Sequence, residues 1–155
     1  MSHHYEARVT WSRQSSEKFT DNRYSRAHEW AFDGGVTVRA SSSPSVVPVP
    51  LSATDAVDPE EALVASASSC HMLYFLFFAA KRGFIVDRYD DEAFGVLEKN
   101  PAGKTFMSKI TLRPQIAFSG EKTPSADDLQ AMHHSAHEEC FIATSLKTEI
   151  VVEVR

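Results

Sequence analysis

Two cysteines and a group of histidines are the side chains of this sequence best equipped for chemistry. Cys70 lies in a run of nineteen residues, Ala62 to Ala80, that carries no formal charge. A thiol so placed is either an inert core residue or a nucleophile that the surrounding structure exposes. Cys140 follows Leu129, Met132, His133 and Ala136 at steps of three and four, which puts it on the core-facing side of a helix. The run around Cys70 is the largest apolar surface such a face could pack against, so the two thiols could meet there. A different chemistry uses His133, His137 and Cys140, which fall within roughly 60° of one another on a helix. With Cys70 or His71 as a further ligand they could enclose zinc. No second CxxC or carboxylate-rich motif accompanies them, His134 is expected to be exposed, and His133 serves equally well as a hydrogen-bonded core histidine.

The element that positions Cys70 is a long helix over residues 59–82. Asp58 is a good N-cap, Pro59 suits the first turn, Glu60 and Glu61 favour the positive end of the dipole, and Lys81, Arg82 and Gly83 supply the stop. About 18 to 20 apolar residues suffice to cross a bilayer, so a membrane span is the first alternative. Ser66, Ser68, Ser69, Cys70 and His71 cluster in the middle of the helix, where lipid penalises them, and the reading is a protein core helix with no membrane partner.

Before this helix, Tyr5 to Trp11 alternates as a strand with Ala7, Val9 and Trp11 on one face. Residues 12–26 read as a loop with a short ragged strand at its end. His28 to Phe32, Asp33-Gly34-Gly35 and Val36-Thr37-Val38 form a hairpin pattern. Residues 40–58, with five Ser and three Pro, read as an irregular connector. After the helix, Phe84 to Tyr89 and Glu92 to Glu98 read as short strands, and Phe106 to Phe118 as one long alternating strand that closes an antiparallel hairpin across Asn100-Pro101-Ala102-Gly103. A second helix is expected at about Asp127 to Glu139 and a closing strand at Thr148 to Val154. The order describes an α+β fold with helices packed on antiparallel sheet.

The 155 residues fit one domain, 1–155, made of N-terminal strands (1–39), the connector (40–58), the central helix (59–82) and the remainder (84–155). Sixteen basic against 21 acidic side chains give a net charge of -5, with no positive field for nucleic acid. Two cysteines make no disulfide framework, and no charged-then-apolar leader opens the chain, so a reducing cytoplasmic location is expected.

Asp58-Pro59-Glu60-Glu61-Ala62-Leu63-Val64-Ala65-Ser66-Ala67-Ser68-Ser69-Cys70-His71 resembles the signature helix of the OsmC/Ohr family, the osmotically inducible and organic hydroperoxide resistance proteins. Ala136-His137-Glu138-Glu139-Cys140, with Ile142-Ala143-Thr144-Ser145, is similar to that family's second cysteine motif. The likeness runs from Tyr24 onward in the family's element order. Asp33-Gly34-Gly35 and Cys70-His71-Met72 place the sequence nearer the OsmC-like branch than Ohr itself.

The resemblance implies an intertwined homodimer and a thiol peroxidase for organic hydroperoxides. Cys70 would be the peroxidatic thiolate and Cys140 the resolving thiol, with no bound cofactor and a dithiol or small thiol as external reductant. It further implies an Arg from the N-terminal hairpin beside Cys70, held by a Glu near the start of the helix. Glu60 matches that Glu; Arg26 is the best match for the Arg, with Arg23 the runner-up and His28 a lesser contributor. Ten helical residues separate Glu60 from Cys70 by about 15 Å, so Glu60 would lie on the approach path or serve the thiol of a second chain. The alternatives are a binding protein of the same fold without catalysis, and the zinc site.

Overall fold

The computed structural model describes residues 2–154. Its contacts group the chain into two compact units, residues 1–62 and 63–155. The first unit holds a three-stranded antiparallel sheet, β1 (Ala7–Thr10), β2 (His28–Phe32) and β3 (Thr37–Ala40), in that order. Its register sets Ala7 opposite Phe32 and His28 opposite Ala40. The β2–β3 turn is the one that Asp33-Gly34-Gly35 predicts. Gly35 takes φ +80° there, a conformation that favours glycine, and its N–H closes on the Phe32 carbonyl at 3.0 Å.

No strand forms between Thr10 and His28, contrary to the expected ragged strand. The polar side chains of that segment satisfy the backbone locally instead. Glu17 accepts from the amides of Gln14 (3.0 Å) and Ser25 (2.7 Å), and the Trp11 indole donates to the Ser25 carbonyl at 2.8 Å. The connector is irregular as expected, touching the sheet through an Ala40–Val57 bridge.

Helix α1 (Pro59–Lys81) starts in the first unit and continues through the second. Asp58 and Glu61 close a reciprocal cap: Asp58 Oδ1 accepts the Glu61 amide at 2.8 Å, and Glu61 Oε2 accepts the Asp58 amide at 3.2 Å. At the far end Gly83, at φ +79°, and Phe84 return their amides to Ala80 and Ala79. The helix is long and apolar enough by length and composition to cross a membrane. In the second unit it instead buries one stripe, Ala67, His71, Phe75 and Ala79, at steps of four.

Two clusters receive that stripe. Phe75 and Ala79 pack with Phe84, Met132 and Ala136; Ala67 packs with Met107, Ile110 and Leu112. The strands are β4 (Ile85–Asp91), β5 (Phe94–Lys99), β6 (Thr105–Leu112), β7 (Pro114–Ser119) and β8 (Glu149–Val152), and the helices are α2 (Ala126–Glu139) and a short α3 (Phe141–Ser145). β5 and β6 form the expected antiparallel hairpin. Phe106 to Phe118 is not one strand, however. The chain leaves the β5–β6–β8 sheet after Leu112 and re-enters beside β4 as β7. At the break the Arg113 amide donates to the Asp91 carboxylate at 2.6 Å instead of to a ladder. β8 departs from the antiparallel expectation, running parallel to β6 with Ile110 opposite Ile150.

Candidate thiol site in the second unit

α1 and the end of α2 bring the two cysteines within interaction range of each other, both as free thiols. Cys70 is half-buried; Cys140 is 1% exposed. Cys140 does not belong to the body of α2, as its helical spacing suggested. It is the C-cap of that helix and the N-cap of α3, in extended conformation (φ -67°, ψ 111°). Its Sγ accepts the Ala143 amide at 3.4 Å. Burial first, and then a hydrogen bond with Cys70, outweigh the amides of Ala143 and Ile142 and push the Cys140 thiol up to about 11. At neutral pH Cys140 is therefore a protonated thiol in contact with a more accessible one.

Beside the thiols, the buried stripe carries a polar pair that the sequence only half revealed. His71 Nε2 lies 3.0 Å from His133 Nδ1, with the rings stacked at 5.3 Å and 10°. His133 is thus the hydrogen-bonded core histidine, and its partner is the residue that follows Cys70. Burial holds both imidazoles down at about 4, helped for His71 by the nearby His133 and His137 and opposed for His133 by Asp91. Asp91 accepts from Ser68 Oγ at 2.5 Å as well as from Arg113. Burial and Asp91 together raise Tyr89. The sequence reading gave Asp91, Ser68 and Tyr89 no role at the site. His71 entered the sequence reading only as a possible zinc ligand and as part of the cysteine motif; the signal for its core position is its step of four from Ala67 and Phe75.

The zinc arrangement does not assemble. Among the described residues no three His, Cys, Asp or Glu side chains stand where they could hold a metal ion. His133 directs Nδ1 at His71, and Cys140 caps α3. The lipid-like length of α1 also resolves into two faces: opposite the buried stripe, Leu73 (60% exposed) and Phe77 (57%) stand open. Tyr74 meets the exposed Phe141 of α3 edge-on at 5.6 Å.

In the first unit, Glu60 occupies the first turn of α1 without joining the cap, since Glu61 closes it. Arg26 is engaged locally. Its Nη1 donates to the carbonyls of Asn22 (3.0 Å) and Tyr24 (2.5 Å), its Nη2 to Asn22 Oδ1 (2.9 Å), and its guanidinium lies 3.8 Å from the Tyr24 ring centroid. Tyr24 stacks in turn on Phe19 and meets Trp11 edge-on. His28 Nδ1 lies 2.7 Å from the Arg26 carbonyl.

The architecture has close relatives among solved structures. An OsmC-like protein of unknown function from Vibrio cholerae O1 is 57% identical and superposes at TM-score 0.97, with 100% of each chain covered. The organic hydroperoxide resistance proteins of Elizabethkingia anophelis and Bacillus subtilis share the fold at 14% identity. Their TM-scores are 0.70 and 0.65, covering 99% of this chain and 95% and 98% of theirs. No curated protein matches. The family model described as OsmC-like protein matches residues 52–155, a stretch that contains α1, both cysteines and everything after them, and the chain accordingly belongs to the OsmC-like family.

Proposed function

We propose that the protein is a thiol-dependent peroxidase that reduces organic hydroperoxides to alcohols. The observation that carries this reading is a contact between two free thiols of unequal burial: Cys70 reachable, Cys140 enclosed and held protonated. The Cys70 thiolate attacks the hydroperoxide oxygen remote from carbon. The O–O bond breaks, a proton goes to the departing alkoxide, and Cys70 becomes a sulfenic acid. Cys140 then attacks that sulfur, releasing water and forming a disulfide, which a dithiol or small-thiol reductant reopens. Only the outer thiol meets substrate, and the buried one acts once an electrophilic sulfur stands beside it.

Arg26 is the cation assigned to the Cys70 thiolate and Glu60 the carboxylate that orients it, both by family likeness. The open Leu73–Phe77 face of α1 supports a homodimer that covers it, with Glu60 serving the partner's thiol. The organic hydroperoxide resistance proteins of the same fold are consistent with this chemistry. A reducing, cytoplasmic setting follows from the same thiol chemistry.

Turnover of cumene hydroperoxide with a dithiol reductant tests the proposal. The wild-type protein should turn over and Cys70→Ser should lose at least 100-fold. An unchanged rate in Cys70→Ser, or no turnover by the wild type with any dithiol, leaves a binding protein of this fold instead.

A further inference from the structure

α2 and β8 enclose a second feature that the peroxidase chemistry does not use: a cleft of about 490 Å³, within the range of small-molecule sites. His133, His134, His137 and Gln130 of α2 line one side, and Ile150 and Val152 of β8 the other. Among the described residues, none that lines it carries a fixed charge. His133 is 4% exposed, and its Nε2 has no hydrogen-bond partner; the same holds for His71 Nδ1 at the other end of the imidazole pair. Leaving a buried ring nitrogen unpaired is unfavourable, so a ligand that pairs with it gains affinity.

We propose that this cleft binds an uncharged small molecule with an alkyl body and a hydroxyl-type head, a class that includes alcohols and hydroperoxides. The pair of rings shares one proton across the 3.0 Å contact. In one tautomeric arrangement His133 Nε2 is a donor and His71 Nδ1 an acceptor; the opposite arrangement is reached when the shared proton crosses to His133 Nδ1 while His133 Nε2 gives up its proton and His71 Nδ1 takes one. A site that can present either role suits a head that both donates and accepts. A carboxylate only accepts and an ammonium only donates, and neither finds a fixed countercharge among the described lining residues. The aliphatic side chains of β8 take the alkyl body. Burial keeps the two rings neutral at physiological pH, in keeping with a neutral ligand.

Titrating isotope-labelled Cys70→Ser protein with cyclohexanol, read by amide chemical shifts, tests the site apart from any thiol chemistry. Saturable shifts should map to residues of α2 and β8. Cyclohexanecarboxylate and cyclohexylammonium should bind at least fivefold more weakly. Val152→Trp should abolish the shifts; Val154→Trp, at the exposed end of the same wall, should weaken them at least fivefold and serves if the first variant does not fold. The proposal is overturned by absent or non-saturable shifts, by a charged analogue binding as well as the alcohol, or by a folded tryptophan variant that binds unchanged. Because the protein titrated lacks the Cys70 thiol, failure here leaves the peroxidase reading standing.

Discussion

His71 and His133 form a buried, stacked imidazole pair joined by a 3.0 Å contact, one ring from the helix that carries Cys70 and one from the helix that ends at Cys140. Each ring is held near 4, against about 6.5 for a free histidine. Between those values the unfolded chain binds more protons than the folded one, so stability is lost as pH falls from 6.5 toward 4. From pH 7 to pH 5 the loss is on the order of 2 kcal/mol for each imidazole. His137 facing His71 adds to the effect, and Asp91 facing His133 offsets part of it. Urea denaturation at pH 7 and pH 5 measures the difference, and His133→Gln should roughly halve it. An equal pH dependence in that variant would show that the pair is not its source.

The unequal burial of the thiols sets an order of reaction. Under native conditions at pH 8, iodoacetamide should label Cys70 at least tenfold faster than Cys140, read by peptide mass spectrometry. One equivalent of an alkyl hydroperoxide should remove two hydrogens from the wild-type chain. Cys140→Ser should stop at a dimedone-reactive sulfenic acid after one turnover. A Cys140 that labels first, or a Cys140→Ser variant that cycles normally with a dithiol, would reverse the assigned roles.

Much of this site was legible because its signals are local. The cap at Asp58, the stop at Gly83 and the uncharged run between them define α1 to within a residue of its observed end. The spacing Met132, His133, Ala136 correctly placed His133 in the core. The misplaced features depend on where the chain goes next. The apolar pattern from Phe106 to Phe118 continues past Arg113 into the second strand, and nothing local marks the break; the Asp91–Arg113 contact, 22 residues apart in sequence, goes with the change of sheet. Cys140 sits in helical register with Ala136, yet the helix ends before it. The α3 turn begins at once, and nothing in Phe141-Ile142-Ala143 marks the break. The His71–His133 bond joins residues 62 apart, and no single-helix pattern carries that information.

Gly95 of β5 illustrates how closely α1 is seated in the second unit. A Cβ there would overlap the Met107 sulfur and stand 2.8 Å from Val64 Cγ2 of α1. Gly95→Ala should therefore cost about 1–3 kcal/mol, as overpacking does. Gly103, at φ +74° but with nothing near its Cβ position, separates space from backbone strain: Gly103→Asn, which tolerates that conformation, should cost under about 1 kcal/mol. Thermal melts of the two variants make the comparison, and equal losses would dismiss the crowding argument.

The open face of α1 should be where copies of the chain meet. Leu73 and Phe77 project from the helix at 60% and 57% exposure, one turn apart, and large apolar side chains so exposed mark contact surfaces. Leu73→Glu with Phe77→Lys should convert a dimer to monomer in light scattering coupled to size-exclusion chromatography, and peroxidase activity should fall with it if Glu60 acts across the interface. A wild-type monomer at micromolar concentration, or a dimer untouched by both charges, would place the contact elsewhere or remove it.

Arg26 and Arg23 make the last separable pair. Arg26 spends its guanidinium on Asn22, Tyr24 and the Tyr24 ring, whereas Arg23 contributes its backbone amide to Asp21. If Arg26 is the cation for the Cys70 thiolate, removing its charge destabilises that thiolate. Arg26→Ala should then raise the pH at which Cys70 becomes alkylatable by at least one unit and cut kcat/KM at least tenfold. Arg23→Ala should leave both within twofold. The loop contacts give a control: Arg26→Gln retains amide donors for Asn22 and Tyr24 without the charge, so a purely structural Arg26 would be rescued by glutamine and a thiolate-stabilising one would not. The reverse pattern, with Arg23→Ala carrying the loss, transfers the role to Arg23.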